Sequence, residues 1–326
     1  MSNQLDQLRQ QFLAYLAAHP FRKSPIGLYE PVDYIMQLGG KRMRPILALL
    51  AYQLFKKDVD AALPVAMAVE VFHNFSLVHD DIMDAADLRR GKPTVHAKYD
   101  TNTAILSGDV MLIKSYQYLA QIGDPHIQAK LIQVFNQVAI EVCEGQQYDV
   151  DFENRSDVRI DEYLKMIEYK TAALLAGSLS MGAIAAGADE AAVAHLDRFG
   201  RKVGIAFQIQ DDLLDSFGDP AKFGKKVGGD ICQNKKTILI LQALKDGNAN
   251  EQAQLNQLLS TPTTNEQQKI TAVKSLLEHL HIPTKVKTLR DQYLAEALQE
   301  LETLEVEAAQ KAPLFAIANQ LVDRVI

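Results

Sequence analysis

The chain has 326 residues, 48% of them hydrophobic and 23% charged, with a net charge of −7 and two cysteines. That apolar content supports a sizeable buried core, and the negative balance argues against nucleic acid as a main partner. Cys143 and Cys232 lie far apart and in no metal-ligand spacing, which excludes a disulfide scaffold and points to free thiols in a reducing compartment. The length exceeds that of a usual domain, yet no Pro/Gly/Ser-rich linker or shift in composition divides the chain. Residues 1–326 are therefore expected to form a single domain. The first residues lack the basic start and apolar core of a signal peptide, and the nearest approach to a membrane span is the Ala- and Gly-rich stretch 171–188. A cytoplasmic protein with no stable membrane insertion is expected.

Residues 3–18 place Leu, Phe and Tyr among Gln at helical spacing, predicting an amphipathic first helix that Pro20, Pro25 and Gly27 end. A short helix over 29–37 stops at Gly39-Gly40. Lys41-Arg42-Met43-Arg44-Pro45 follows, and Pro45 suits the first turn of a helix over 46–55. Three cations beside a Gly-Gly turn are either plain surface or an anion cradle made by exposed N–H groups and the helix dipole. From Ala61 an apolar run with one Pro near its start predicts a long helix closing on Leu77-Val78-His79-Asp80-Asp81-Ile82-Met83-Asp84. Asp80 and Asp84, four apart, project from one face. Like charges at that spacing destabilise a bare helix, so a compensating cation is expected, and oxygen ligands suit a hard divalent ion such as Mg²⁺. Arg89-Arg90-Gly91 comes next, and guanidinium forks are the preferred partners of phosphate oxygens.

Residues 91–94 read as a loop. Long helices are predicted over 102–119 and 127–148, the second running into Gly145-Gln146-Gln147-Tyr148-Asp149. After a polar break at 153–157, a helix over 160–170 carries Lys170-Thr171 near its end. The Ala/Gly/Ser-rich stretch 172–187 either lets helices approach closely or leaves room for a ligand, the close crossing being the commoner use. A helix over 189–214 closes on Phe207-Gln208-Ile209-Gln210-Asp211-Asp212-Leu213-Leu214-Asp215, which repeats the Asp-Asp-x-x-Asp spacing. Lys225, Lys226, Lys235 and Lys236 follow in a Gly-bearing loop, and the tail is helical apart from breaks at 246–250 and 261–264. No segment alternates with period two between turn signals, so the fold class is all-α. One acidic cluster on a helix is usually a solvated face. Two copies, each ending an apolar helix and each followed by cations, describe a metal site for a phosphorylated substrate.

Five motifs occur in one order: Gly39-Gly40-Lys41-Arg42-Met43-Arg44-Pro45, the first Asp-rich motif with Arg89-Arg90-Gly91, Gly145-Gln146, Lys170-Thr171, and Phe207-Gln208 leading into the second Asp-rich motif. Together they resemble the trans-isoprenyl diphosphate synthases, the head-to-tail polyprenyl synthetases. The resemblance implies the isoprenoid synthase fold, a single-domain helical bundle around a deep central cavity, working as a homodimer with the two acidic motifs facing each other. It also implies three Mg²⁺ ions, two on Asp80 and Asp84 and a third on Asp211, supported by Asp215 through water. Arg89, Lys170 and Lys225 look like the cations that grip the allylic diphosphate (dimethylallyl, geranyl or farnesyl). Lys41, Arg44, His73 and Arg90 are similar to the residues that hold isopentenyl diphosphate; His73 alone would more often be a core histidine. Lys235 and Asp230 resemble a secondary loop of the family. Backbone and amide oxygens near Lys170, Thr171 and Gln208 would face an allylic cation, with the departed diphosphate taking the proton, so no side-chain base is needed. Water must be kept out.

On the helix bearing Asp80, positions four, five and eight earlier are Ser76, Phe75 and Phe72. At 1.5 Å per residue Phe75 lies about 7.5 Å below Asp80 and Phe72 about 12 Å. In the family a large residue five before the first Asp limits product length. Phe75 beside a small Ser76, with no insertion between Asp80 and Asp84, looks most like the geranylgeranyl (C20) type, with farnesyl (C15) the alternative; for Phe72 ordinary core packing is an equal reading. Three rivals stand beside this: a terpene cyclase or head-to-head condensing enzyme, a metal-dependent phosphohydrolase built on His79-Asp80, and a non-catalytic subunit of a heteromeric prenyl synthase. The first lacks the Gly-Gly-Lys motif and the Arg89-Arg90 pair, the second needs more spaced histidines than His73 and His96 provide, and the third would lose an acidic motif.

Overall fold

The computed structural model describes residues 2–219, 227–260 and 265–322. Among them the chain is almost entirely helical. Its helices are α1 (Ser2–Ala18), α2 (Ile26–Gln37), α3 (Met43–Gln53), α4 (Leu63–Met83), α5 (Val95–Lys98), α6 (Thr101–Leu119), α7 (Pro125–Glu153), α8 (Ile160–Ile167) and α9 (Ala173–Ala185). They continue as α10 (Glu190–Phe217), α11 (Gly229–Cys232), α12 (Ile238–Asp246), α13 (Ala249–Ser260), α14 (Glu266–His279), α15 (Ile282–Thr303) and α16 (Ala308–Val322). The all-α class read from the sequence holds.

Among the described residues the one strand pairing falls at the predicted loop 91–94 and just before it: β1 (Leu88–Arg89) pairs antiparallel with β2 (Lys92–Pro93). Arg90 and Gly91, both at positive φ (54° and 71°), form the two-residue turn between them. Two such residues match the twist of a tight hairpin, and period-two reading cannot find strands this short. The ribbon starts where α4 ends, and that end has a clear cause. Ala85 adopts φ 48°, and the Ala86 N–H reaches back to the Asp81 carbonyl at 2.9 Å, a Schellman-type stop directly after Asp84.

The chain divides into two compact units. The first comprises Met1–Ala139, Leu174–Asp197 and Leu304–Leu314. Its central element is α4, packed on α3 and most extensively on α6, with Val65, Met67, Val69, Val71 and Phe72 all at 0% exposure. α4 and the turn before it, Asp60–Met83, are long and apolar enough to cross a membrane, but 72% of an apolar 18-residue window within it is buried in the protein. Composition alone had pointed to 171–188 instead. Glycines in that stretch serve close packing: a Cβ on Gly177 would sit 2.6 Å from Val138 of α7, and one on Gly182 would overlap the Ala48 backbone of α3. The second unit comprises Ile140–Ala173, Arg198–Thr303 and Phe315–Ile326. Its core draws on α8, α10, α12, α14 and α15, including Tyr163, Ile209, Leu213, Leu239 and Val273.

The helix predicted over 160–170 does not run through evenly. It gives way at Glu168–Ala172 to a turn of π-helix that contains Lys170 and Thr171. Single π turns widen a helix by one residue, strain it, and are found disproportionately at functional sites.

Candidate active site

In the first unit the Gly-Gly turn and the hairpin meet. Gly39 and Gly40 have φ of 80° and 124°, and the Arg90 guanidinium lies over them, with Nη1 donating to the Gly39 carbonyl. A Cβ on Gly40 would stand 2.9 Å from the Arg90 Cζ, so the turn must be bare to admit the arginine. Of the three neighbouring cations, Arg42 is structural. It is 5% exposed and donates to Glu70 and to the Met36 carbonyl, while Asn74 supports the same carboxylate at 3.1 Å. Lys41 is exposed.

Arg44 is different. Its Nη1 lies 3.1 Å from His73 Nε2, and its Nε is buried with no acceptor among the described residues. Burial pushes the Arg44 pKa down to about 10, with the Arg90 charge adding to the fall against the opposing pull of Glu70. Arg90 is lowered as well, by burial and then by Arg42 and Arg89. His73 is held well below its ordinary value by burial and then by Arg44, Arg90, Arg89 and Arg42. The ring is therefore neutral and accepts from Arg44. This cluster concentrates more positive charge than its own carboxylates offset, which is the electrostatic form of an anion site.

Two turns further along α4 the sign reverses. Asp81, 1% exposed, is held by Arg89, whose Nε and Nη2 make three hydrogen bonds of 2.7–2.9 Å. Burial opposes the Arg89 charge, but Asp81, Asp80 and Asp84 outweigh it and raise the pKa. Asp80 keeps 20% of its side chain exposed and lies 3.7 Å from Arg89, and Asp84 is exposed at the helix end. Arg89 thus spans the acidic motif, and Asp81 is a partner that the spacing argument missed. His79 faces away from the carboxylates: its Nε2 lies 3.2 Å from the Ile105 carbonyl of α6. Below the acids, Phe75 is 9% exposed, with its ring 5.4 Å from Phe72 and Phe72 5.1 Å from Phe135 of α7. Phe72 itself is 0% exposed, as core packing requires. Ser76 donates to the His73 carbonyl at 2.8 Å.

In the second unit, Gly145 explains itself against the π turn. A Cβ there would lie 2.7 Å from both Lys170 Cα and Tyr169 carbonyl carbon, so α7 and the π turn touch backbone to backbone. Lys170 Nζ pairs with Asp149 at 2.5 Å, and Thr171 Oγ1 donates to Gln208 Oε1 at 3.2 Å. The structure therefore sets Thr171 beside Gln208 of α10, while Lys170, next in the same turn, is paired with Asp149 of α7. Asp211 and Asp215 are half-buried on α10, and Asp215 Oδ2 accepts the Asp230 N–H at 3.0 Å. Lys235 is half-buried and its N–H meets the Asp230 carbonyl at 2.9 Å.

Sequence reading missed Asp212. It is 4% exposed, accepts from Tyr163 Oη at 2.5 Å, Gln208 Nε2 at 3.2 Å and the Ile238 N–H at 3.3 Å. Burial and then Asp230 push its pKa up to about 7. Only the doublet Asp211-Asp212 hints at it, since its partners are distant in sequence. Lys225 lies outside the described residues.

Comparison with known proteins decides the family. The sequence matches the polyprenyl synthetase family over residues 26–277. The chain belongs to the polyprenyl synthetase family. A crystal structure of a geranylgeranyl pyrophosphate synthase superposes with a TM-score of 0.94 at 43% identity, covering 99% of each chain. The chain is 36% identical over 301 residues to the geranylgeranyl diphosphate synthase of Methanosarcina mazei, covering 92% of this chain and 90% of that one. It is 42% identical over 245 residues to the geranylfarnesyl diphosphate synthase of Natronomonas pharaonis, covering 69% and 71%. The fold is thus the all-α isoprenoid synthase fold, and the protein is a prenyltransferase of this family. Relatives of similar identity carry names with different products, so product length rests on individual residues.

Do these residues fit magnesium? Among the described residues no three His, Cys, Asp or Glu side chains form a ready metal cage. Mg²⁺ needs none: it keeps several waters and takes one or two carboxylates plus substrate phosphates. Asp80 and Asp84 offer hard oxygen donors at an accessible helix end beside Arg89, and His79, a softer ligand, is turned to α6. The donor set fits.

Proposed function

We propose that this polyprenyl synthetase condenses isopentenyl diphosphate head-to-tail with dimethylallyl, geranyl and farnesyl diphosphates, releasing geranylgeranyl diphosphate (C20). The observation that carries the reading is the charge order along α4. A cluster in which Arg44 Nε has no acceptor among the described residues (Arg44, with His73 and Arg90) lies two turns from an acidic helix end. One position calls for a phosphate and the other for a metal.

Asp80 and Asp84 would hold two Mg²⁺ ions and Asp211 a third, with Asp215 behind it, and bound metal supplies Lewis-acid neutralisation of the departing diphosphate. Arg89, Lys170 and Lys225 bind the allylic diphosphate through forks and ammonium groups. For Arg89 this means sharing its guanidinium with Asp81, and for Lys170 with Asp149. Lys41, Arg44, His73 and Arg90 bind isopentenyl diphosphate, and Arg44 Nε gains the acceptor it lacks. Lys235 serves a secondary part in the loop beside Asp215. Thr171 Oγ1 and Gln208 Oε1, with the loosened carbonyls of the π turn, present oxygen dipoles to the developing allylic cation. The proton lost after condensation goes to the diphosphate, in keeping with a neutral His73.

The C20 assignment is supported by Phe75, which is backed by Phe72 and then Phe135, a stack of rings that blocks growth down this face of α4. A phosphohydrolase is disfavoured because His79 turns from Asp80 to the Ile105 carbonyl. The chain is proposed to act as one polyprenyl synthetase domain in the cytoplasm, where its two free thiols persist. It is proposed to form a homodimer, supported by an apolar stripe of Ile105, Leu106 and Ile113 on α6, which are 40%, 58% and 56% exposed. The test is incubation with Mg²⁺, isopentenyl diphosphate and each allylic primer, followed by chromatographic sizing. A predominant C20 alcohol after dephosphorylation, lost on chelation, is expected. A cyclic hydrocarbon, free phosphate, or no elongation overturns the reading.

A further inference from the structure

Phe75 is not a lone obstacle on a helix face. Its ring is flanked along α4 by Phe72 three residues before and by His79 four residues after, the latter at 4.8 Å and 65°. Edge-to-face contacts of this kind are favourable and orient both rings. Phe72 is fixed by the core, 0% exposed and set against Phe135. The other flank needs an anchor outside α4, because the His79 side chain is 22% exposed. That anchor is α6. The His79 Nε2–H donates to the Ile105 carbonyl at 3.2 Å, and the acceptor fixes the tautomer, since a carbonyl has no proton to give. Asp109 Oδ1 is 4.0 Å away.

The imidazole can reach that carbonyl only because residue 108 is glycine. A Cβ on Gly108 would overlap His79 Nε2 and stand 2.6 Å from its Cδ2, in a helix interior where glycine is otherwise unfavourable. We infer that His79, seated in the notch that Gly108 leaves in α6, is a positioning residue that holds Phe75 in place and thereby sets product length. This rests on the prenyl-elongation reading above. Neither residue has to touch metal or diphosphate for the effect. Interiors transmit small displacements, because packed side chains cannot fill a gap of part of a methyl group.

Two substitutions act on this contact in opposite steric senses. Gly108→Ala fills the notch and expels the ring; His79→Ala removes the ring and leaves the notch empty. Both free one flank of Phe75, so both are expected to lengthen the product, raising the ratio of C25 and longer to C20 by about threefold or more. The ratio is read independently of turnover, so a variant that is merely less stable leaves it unmoved. Where Gly108→Ala does not fold, His79→Ala carries the test. A wild-type enzyme that elongates, with His79→Ala keeping its product ratio, overturns this inference alone. A wild-type enzyme that yields no condensed product overturns the functional reading and this inference with it.

Discussion

Asp80 and Asp81 are neighbours with opposite circumstances. Asp81 is buried and held by three hydrogen bonds from Arg89, whereas Asp80 meets Arg89 only at 3.7 Å and keeps access to solvent. Replacing Asp81 by Asn removes the charge that holds the half-buried Arg89 guanidinium through three hydrogen bonds, so Asp81→Asn is expected to cost about 2–4 kcal/mol of stability. Asp80→Asn should barely move the denaturation midpoint but lower kcat by about a thousandfold, the scale of several kcal/mol of metal-assisted stabilisation. Paired denaturation and rate measurements separate the two; equal stability losses would contradict the division. His73 allows a test by pH. Its folded pKa lies well below the ordinary 6.5, through burial first and Arg44 next. In the window below about 6.5 the unfolded chain takes up a proton that the folded one refuses, so this part of the stability is present above that pH and lost as pH falls. His73→Gln is expected to flatten the decline in denaturation midpoint between neutral and mildly acidic pH. An unchanged slope would remove His73 from the account.

At the scale of elements, α4 and the π turn carry most of the proposed chemistry, and they differ in how readily sequence reveals them. The apolar run, the acidic end and the i, i+4 pair made α4 legible, including its end within one residue of Asp84. The all-α class followed from the same periodicity. The π turn at Glu168–Ala172 was not legible, because nothing in Lys170-Thr171 signals a widened helix. The turn packs backbone to backbone against Gly145, a contact distant in sequence. The hairpin at Leu88–Arg89 and Lys92–Pro93 was likewise hidden by its two-residue strands. Of the five motifs, the first two prove to be one construction, since Arg90 rests on Gly39-Gly40. The sequence reading took that pair of glycines for a helix stop, which holds since the second helix ends at Gln37, and left the cations after it as either plain surface or an anion cradle. The prediction at this scale concerns the Phe75 face of α4. Phe75→Ala opens a gap down to Phe72, and the next ring lies about one helical turn lower. Products should shift from C20 towards C25 and C30, as sized by chromatography. An unchanged distribution would show that growth does not run along this face.

The whole molecule is proposed to be a dimer, and α6 offers the means to test it. Its outer stripe of Ile105, Leu106 and Ile113 is well exposed in the protomer, so these side chains contribute little to the fold of one chain. Apolar groups spaced along one helix face cluster into a patch, and patches of that kind mark association surfaces. Placing glutamate at both Leu106 and Ile113 would put two carboxylates from each protomer into a desolvated contact. An unpaired charge in such a place costs several kcal/mol, and every 1.4 kcal/mol is about tenfold in affinity. The double variant Leu106→Glu/Ile113→Glu is therefore expected to sediment as a monomer at concentrations where the unaltered chain sediments as a dimer, with its helical circular dichroism intact. The product ratio should shift towards longer chains with loss of the dimer, because α6 also carries Gly108 and Ile105, the seat of His79. A dimer that survives both charges would place the association surface elsewhere on the molecule.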